Sequence, residues 1–500
     1  MKLFEILRPK KIALYTALIL GSSFVVVGCD NSKAPVSVEK AAEKAAEKPA
    51  EMSQQQLSDF IKNSVTNFIT KYNQVQSFAV ISLQSFTPSA DNKQITIVLR
   101  TELVNLDDDD DEQPIIIDLT YLITPEQSLQ NNAYAVAKFV AQKISLVSDS
   151  STLDPDSFPA FVKQFINDAG LAENGYVMAS GDILSDIVSK NGFDYVNDNA
   201  YDDLSAFNLA PSNYHFQTKD SMKLIDVHYS LPSLSFEFDD TKVFINNINT
   251  QQLDHSFDKN FAYTGQNFYK IDSININDDD KNIALKDIII NTTSNINDRG
   301  FGNQYVTSSL SGNFPNAAGQ QINFSASGNV KVENLNLEAS KKWNQYFGSP
   351  AFAYGSSDTE KLEILRDVFS DGFSFAITDT NIEIDGAKGN FDFSFEVAPM
   401  NISSTAKANA VMMQIFNNLT IQVNSVVPTK WFNVLGTGMS QDNLDKTIKQ
   451  MVQQIDAMGY DGALTYDGEK LTAHFDIKKG NVFVNGELKG SLINTLAAFM

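Results

Sequence analysis

The sequence contains a single cysteine, Cys29, among 500 residues. One cysteine cannot form an intramolecular disulfide, and it cannot build a cysteine-based metal site. Histidine is also scarce, with four residues in the chain. None of them lies in an H-E-x-x-H or H-x-H pair. A zinc site would therefore need ligands from distant parts of the chain. The sequence predicts neither a metal nor a cofactor.

Short catalytic motifs are missing as well. The chain has no G-x-S-x-G nucleophile elbow, no phosphate-binding G-x-x-x-x-G-K-[ST] loop and no dinucleotide-binding G-x-G-x-x-G. We assign Trp343 and Trp431 to cores and His474 to the polar face of a strand. A pair of carboxylates for glycoside cleavage stays open, because their separation depends on the fold. We predict no catalytic residue and no enzyme activity.

Basic residues are too few to balance the acidic ones. The chain has 38 Lys and Arg against 61 Asp and Glu, a net charge of -23. Removal of residues 1–28, which carry a net charge of +3, would lower the charge to about -26. Such a body should not bind nucleic acid or an anionic lipid surface through charge alone. We predict no nucleic-acid partner.

The stretch from Ile12 to Asp30 has the pattern of a secretory signal. Four basic residues precede an apolar run, and Gly28 stands directly before the cysteine. With Val26 three positions before Cys29, the segment resembles the lipobox of bacterial lipoproteins, in which the cysteine is lipidated. We interpret residues 1–28 as a lipoprotein signal peptide and Cys29 as the lipidation site. An uncleaved transmembrane anchor is the alternative, but the run is short for a span.

The residues after the cysteine suggest where the protein is retained. In enterobacterial-type lipoproteins, an aspartate at this position resembles the signal for retention at the inner membrane. We therefore predict that Asp30 and Asn31 act as the sorting signal and that the body faces the periplasm. If the aspartate rule does not apply, the outer membrane is the alternative. Residues 29–52 contain an Ala-, Glu- and Lys-rich stretch and are predicted to be the lipidated cysteine and a linker.

Residues 53–225 are predicted to form an N-terminal α+β region. Apolar residues recur three and four apart after Ser53, which is typical of a capped amphipathic helix. Strands are predicted at 78–86, 95–104 and 115–123, with a solvated acidic loop at 107–112. A second helix is predicted from Pro125, a third near 156–170, and a helical turn at 182–190. The apolar helix faces are assigned to the core, with a lipid groove as the alternative.

Residues 226–500 are predicted to be rich in strands. Apolar and polar residues alternate at 234–238 and 391–397, which indicates half-buried strands. A helical face follows Ser440, and Asn485-Gly486 is typical of a hairpin turn. The fold class predicted for the body is α+β, with mostly antiparallel sheets and amphipathic helices packed on one face.

Three segments of this second region resemble one family. They are Phe268 to Asn313, with an acidic turn before a strand, Phe373 to Asn401, which follows a short helix, and Ile455 to Glu487, which ends in Gly480, Val482, Val484, Asn485 and Gly486. These patterns resemble the YdgA family of bacterial envelope proteins. The resemblance implies a location and an architecture, and it implies no reaction, because the family has no established activity. A lipobox in place of an uncleaved anchor is a departure from the family.

Two functions follow as hypotheses. In the first, the protein is a membrane-anchored, periplasmic, non-catalytic binding or structural module that contacts another envelope protein. In the second, it handles lipid or lipoprotein in an apolar groove between sheet and helices, driven by transfer of apolar surface from water. Hydrolysis by scattered carboxylates or histidines is a third hypothesis, and it requires a polar cleft.

Overall fold

The computed structural model describes residues 51–75, 79–91, 93–103, 115–130, 133–147, 158–196, 205–238, 241–278, 281–316, 318–339, 363, 366–401, 408–435 and 440–491. These residues divide into two compact units, of which unit 1 extends to residue 278 and unit 2 begins at residue 281. The boundary predicted at 225/226 falls inside a strand, Leu224–Phe238.

Unit 1 is built on twelve antiparallel strands. They are β1 (Ala79–Pro88), β2 (Ile95–Leu103), β3 (Ile115–Gln130), β4 (Ala133–Leu146), β5 (Leu171–Met178), β6 (Ile183–Ser189), β7 (Phe193–Val196), β8 (Ala206–Leu209), β9 (Ser212–Lys219), β10 (Leu224–Phe238), β11 (Thr241–Ser256) and β12 (Gly265–Asp278). Strands β1 to β6 pair in sequence order, β6 pairs with β9, and β9 to β12 continue in order. The end of β10 pairs instead with β8, which pairs with β7.

Two α-helices cover one face of this sheet. Helix α1 (Gln54–Val75) begins with a capping box, in which Ser53 Oγ accepts from the Gln56 amide and Gln56 Oε1 accepts from the Ser53 amide. Helix α2 (Phe158–Asp168) contributes Phe161 and Phe165, which are almost fully buried. A 3₁₀ turn follows β11 at Phe261–Tyr263. Both helices pack into the main core of unit 1, as their apolar faces predict.

Unit 2 contains ten further antiparallel strands. They are β13 (Lys281–Ile296), β14 (Gly302–Pro315), β15 (Gln321–Leu335), β16 (Phe373–Ile384), β17 (Ala387–Val397), β18 (Leu419–Pro428), β19 (Leu464–Tyr466), β20 (Lys470–Lys478), β21 (Asn481–Val484) and β22 (Glu487–Ser491). Strands β13 to β18 pair in order, β18 pairs with β20, and β20 also pairs with β19 and β21. Three helices of this unit are α3 (Ala408–Asn418), α4 (Thr429–Val434) and α5 (Gln441–Ala457).

Several local predictions in unit 2 are confirmed. Ser440 caps α5 by accepting a hydrogen bond from the Asn443 amide. Asn485 and Gly486, with φ of 50° and 81°, form the two-residue turn between β21 and β22. This geometry explains the Asn-Gly sequence, because both central residues of such a turn need positive φ.

The predicted fold class is wrong. The chain is mostly antiparallel sheet, with 22 strands in the part that the structure describes, and its helices are too few to make it an α+β fold. The second predicted helix is the end of β3 and all of β4, and the predicted helical turn at 182–190 contains β6. Both errors have one cause. These strands carry apolar residues on both faces, and a run of that kind also satisfies a helical spacing.

Unit 2 has a thinner core than unit 1. Among its described residues, the principal buried cluster consists of Val397, Val411, Ile415 and Leu419. A row of directly paired apolar residues crosses six of its strands, and each is only half-buried: Val306, Val330, Ile377, Phe393, Val423 and Phe475. Among the described helices of both units, none has the length and apolar character needed to cross a bilayer.

Candidate functional site

Unit 1 has a space on each face of its sheet. Alternate side chains of a strand point to opposite faces, so Ser185 and Asp186 belong to different environments. The inner space lies on the face that α1 covers, and the outer pocket lies on the polar face.

The inner cavity is small and mostly apolar. Val65 and Phe68 of α1 line it together with sheet residues that include Leu119, Phe139 and Phe216. Its volume is about 70 Å³. An engineered apolar cavity that binds benzene measures about 150 Å³. The inner cavity therefore has no room for an acyl chain.

One carboxyl group lines this cavity. Glu173 Oε2 accepts a hydrogen bond from the Tyr121 hydroxyl at 2.5 Å, and Oε1 accepts from Ser185 Oγ at 2.8 Å. Burial raises the pKa of Glu173 above its usual value, and the two donated hydrogen bonds oppose this shift. Burial, together with the neighbouring Glu173, raises the pKa of Tyr121 far above its ordinary range. The pair is thus a buried polar contact inside an apolar core.

The outer pocket is polar and larger. It is a cavity of about 330 Å³ on the face opposite α1. Two rows of directly paired residues form its floor. The first row is Asp186, His215, His228 and Gln251, and the second is Val188, Asn213, Ser230 and Asn249. Ligand pockets range from about 300 to 1,000 Å³, so the outer pocket has the size of a small-molecule site.

The first row holds the ionisable groups of the outer pocket. His215 Nδ1 lies 2.8 Å from Asp186 Oδ1, and the His215 and His228 rings have centroids 5.8 Å apart. Because the carboxylate accepts, the neutral His215 ring carries its proton on Nδ1, and its Nε2 is then an acceptor. Burial lowers the pKa of His228, and His215 lowers it further, while Asp226 acts in the opposite direction.

A nearby lysine is already neutralised. Lys219 makes ion pairs with Asp226 and with Asp254, at 3.0 Å from the latter. Asp226 is buried and its Oδ1 also accepts from the Asp254 amide at 2.7 Å. The surroundings of the outer pocket therefore carry more negative than positive charge.

The residues predicted from the sequence as sites are not among the described residues that line either space. Cys29, Asp30, Asn31 and the acidic loop at 107–112 lie outside the described residues. His255 is buried, with its ring stacked on Phe261, and His474 lies on β20 beside Asn424 of β18. Across the described ranges, no group of three or more His, Cys, Asp or Glu side chains is placed to hold a metal ion.

The meeting of His215 and His228 was missed by the sequence analysis. The two residues are equally spaced about the turn between β9 and β10, whose residues 220–222 all have positive φ. Asp182 holds this turn, because its carboxylate accepts from the Ser221 and Met222 amides. The alternation of apolar residues on either side of 220–222 was the available signal for a hairpin.

A comparison with protein families identifies the group to which the chain is related. A model of bacterial proteins of unknown function, DUF945, matches residues 180–488, which is more than half of the chain. The chain belongs to the DUF945 family. Neither the curated proteins nor the solved structures include a match to it.

The two spaces of unit 1 differ in how much of their lining lies within the DUF945 match. All residues of the outer pocket, from Asp186 to Gln251, lie inside the matched region. Most residues that line the inner cavity, including Tyr121 and Glu173, precede it. The outer pocket is therefore formed by the DUF945 part of the chain.

Proposed function

We propose that this DUF945 protein is a lipoprotein of the bacterial cell envelope. The support is the order of residues at 1–30, in which basic residues and an apolar run precede Gly28 and Cys29. On this proposal Cys29 carries the lipid, and the membrane is the first partner of the protein. The YdgA-like patterns at 268–313, 373–401 and 455–487 agree with an envelope location.

The residues after the cysteine extend this proposal to one membrane. Asp30 and Asn31 would retain the protein at the inner membrane with its body in the periplasm. Sucrose-gradient separation of envelopes tests this step, and we expect the protein in the inner-membrane fraction. The variant Asp30→Ser should move toward the outer membrane. Recovery of the unaltered chain from the outer-membrane fraction would contradict the sorting proposal while leaving lipidation intact.

We further propose that the body acts by binding rather than by catalysis. The observation that carries this proposal is the outer pocket, whose floor presents amides, a hydroxyl, two imidazoles and a carboxylate to about 330 Å³ of space. Such groups recognise a polar ligand through hydrogen bonds. A small polar envelope component, or a polar segment of another envelope protein, is the class of ligand that this composition favours.

Native mass spectrometry of the full-length protein, purified from membranes, tests binding at the outer pocket. We expect a small polar molecule to copurify with the native chain and to be lost from Ser230→Trp, whose indole would occupy the pocket. The control is Ser311→Trp, on a strand of unit 2. Absence of any bound mass, together with unchanged crosslinking to envelope proteins in Ser230→Trp, would overturn the proposal.

One observation favours lipid handling as a second candidate. The inner cavity is too small for it, but the six-residue apolar row of unit 2, from Val306 to Phe475, is only half-buried. An apolar sheet face of this kind would gain about 25 cal/mol per Å² on covering by an acyl chain. Copurified phospholipid that is lost from Phe393→Asp, and retained by Ser394→Asp on the opposite face, would support it.

A further inference from the structure

Two histidines of unit 1 lie side by side on the floor of the outer pocket. His215 and His228 are direct partners on the neighbouring strands β9 and β10. An imidazole nitrogen lies about 2.0–2.1 Å from a bound zinc ion, which puts the ion about 3 Å from the ring centre. Two rings that share one ion therefore have centroids about 5–6 Å apart. The observed separation is 5.8 Å.

The contacts of His215 leave its outer nitrogen available. Its Nδ1 is 2.8 Å from Asp186 Oδ1, so the proton is held on Nδ1 and the lone pair on Nε2 is free. Metal-ligating histidines commonly donate their second ring nitrogen to a carboxylate in this way, which fixes the ring and makes it a stronger ligand. Asp186 is thus a positioning residue for the pair.

The surroundings suit a cation with exchangeable ligands. The outer pocket has about 330 Å³ of space, enough for water to complete a coordination sphere around an ion. The carboxylates of Asp186, Asp226 and Asp254 lie near the pair, and the ammonium of Lys219 is already paired with two of them. Gln251, directly opposite His228, places an amide beside the same space.

We propose that His215 and His228 bind one divalent late transition-metal ion in the outer pocket, with Asp186 orienting His215 and with water or a polar ligand filling the other positions. The inference rests on the proposed function, because it names the ligand class of the same pocket. Imidazole suits Cu²⁺, Ni²⁺ and Zn²⁺, and the Irving–Williams order gives Cu²⁺ the highest affinity among them. Two protein ligands make a site that exchanges its ion.

The test is a Cu²⁺ titration of the full-length, EDTA-stripped protein in detergent, in a non-coordinating buffer with excess Ca²⁺ to occupy weak carboxylate sites. We expect one saturable equivalent, with an electron paramagnetic resonance spectrum that shows coupling to two imidazole nitrogens. A wild-type spectrum with oxygen ligands only would overturn the proposal without reference to any variant.

Variants then assign the ligands. His215→Gln and His228→Gln should each lower the Cu²⁺ affinity at least about 10-fold and leave one coupled nitrogen. Asp186→Asn should lower the affinity about 10- to 100-fold and keep both nitrogens, which a purely structural role would not predict. His474→Gln, in unit 2, is the matched control and should bind as the native chain does. Unchanged binding in His215→Gln and His228→Gln, with native circular dichroism, would contradict the assignment.

The two proposals can fail separately. If the copper spectrum shows oxygen ligands only, but Ser230→Trp still loses a copurified polar molecule, the outer pocket binds that molecule without a metal. If Cu²⁺ binds through two imidazoles and no other mass is found on the native chain, the metal is the ligand and the broader polar-ligand proposal is wrong.

Discussion

The contact between Tyr121 and Glu173 gives a prediction whose size can be worked out. The variant Tyr121→Phe removes a hydroxyl that donates at 2.5 Å to the Glu173 carboxyl and keeps the ring that packs edge-on against Phe139. A hydrogen bond to a charged group stabilises a folded protein by about 1.5–3 kcal/mol. We expect unit 1 to lose about 2 kcal/mol of unfolding free energy at pH 7.5, where Glu173 is more ionised.

The pH dependence follows from the raised pKa of Glu173. Its pKa is higher in the folded than in the unfolded chain, so the folded state binds the proton more tightly. The stabilisation by that proton is complete below the unfolded value of 4.5 and is lost as the pH rises through the folded value. Loss of the hydrogen bond from Tyr121, which favours the ionised form, would raise the folded pKa of Glu173 further. The unfolding free energy of Tyr121→Phe should therefore fall with rising pH over a wider pH range than that of the native chain. In Glu173→Gln, which has no carboxyl group at this position, the fall should be absent.

The assay must report on unit 1 alone. Both tryptophans, Trp343 and Trp431, follow residue 280, so tryptophan fluorescence reports on unit 2. Hydrogen exchange of the β3 and β5 amides, corrected for intrinsic rates and compared at pH 5 and 7.5, measures the opening free energy where the contact lies. Tyr176→Phe, on the opposite face of β5, is the control and should change it by less than about 0.5 kcal/mol.

A double-mutant cycle decides whether the contact causes the effect. Tyr121→Phe should cost much less when Glu173 is already glutamine, because the charged acceptor is then gone. The reasoning is refuted if Tyr121→Phe changes the opening free energy by less than about 0.5 kcal/mol at pH 7.5, or if its cost is the same with Glu173→Gln.

Three further substitutions test the packing of the fold. Asn73→Ala removes an amide that both accepts from and donates to the backbone of Ile81 at 2.9 Å, so we expect about 1–3 kcal/mol less protection of β1 in hydrogen exchange. Asp182→Ala removes the carboxylate that holds the positive-φ turn, and it should cost about 3 kcal/mol and loosen the outer pocket, seen as faster exchange in β9 and β10. Gly389→Ala would place a Cβ 2.3 Å from the Val426 carbonyl oxygen and 2.6 Å from the Trp431 ring, so tryptophan emission should shift and unit 2 should unfold at lower urea.

Each of these substitutions has a matched control. Asn63→Ala and Asp59→Ala alter exposed residues of α1 and should change exchange little. Gly328→Ala meets its nearest side chain at 3.2 Å, so its effect on unit 2 should be smaller than that of Gly389→Ala. Equal effects in a substitution and its control would contradict the contact assigned to that residue.

The elements predicted correctly from sequence are those with local signals. Ser53 and Gln56 form the capping box at the start of α1 and lie within four residues of each other. Ser440 is the N-cap of α5. Asn485-Gly486 fixes a turn because few other pairs accept two positive φ values. Such signals depend on chain neighbours alone, so they can be read without the tertiary structure.

The elements predicted wrongly depend on distant partners. Strand β4 is apolar on both faces because Phe139 packs in the main core while Ala135 belongs to a second cluster with Met178. That double burial removes the two-residue period which would have indicated a strand. Pro125, interpreted as a helix start, lies instead next to an irregularity in the pairing of β3 and β4, where a missing amide is tolerated.

The outer pocket could be predicted only in part for the same reason. The pairing of His215 with His228 depends on the hairpin that turns at 220–222. The register of this hairpin could have been predicted from the alternation of apolar and polar residues on both sides of the turn. Asp186 joins them through the pairing of β6 with β9, which skips β7 and β8. No spacing in the sequence encodes that crossover.

The most direct test of the central claim is metabolic labelling with a palmitate analogue. We predict that the native chain incorporates the label and sediments with membranes, while Cys29→Ser does neither and keeps the same body. A native chain that is recovered from the cytosol without label would contradict the envelope lipoprotein proposal.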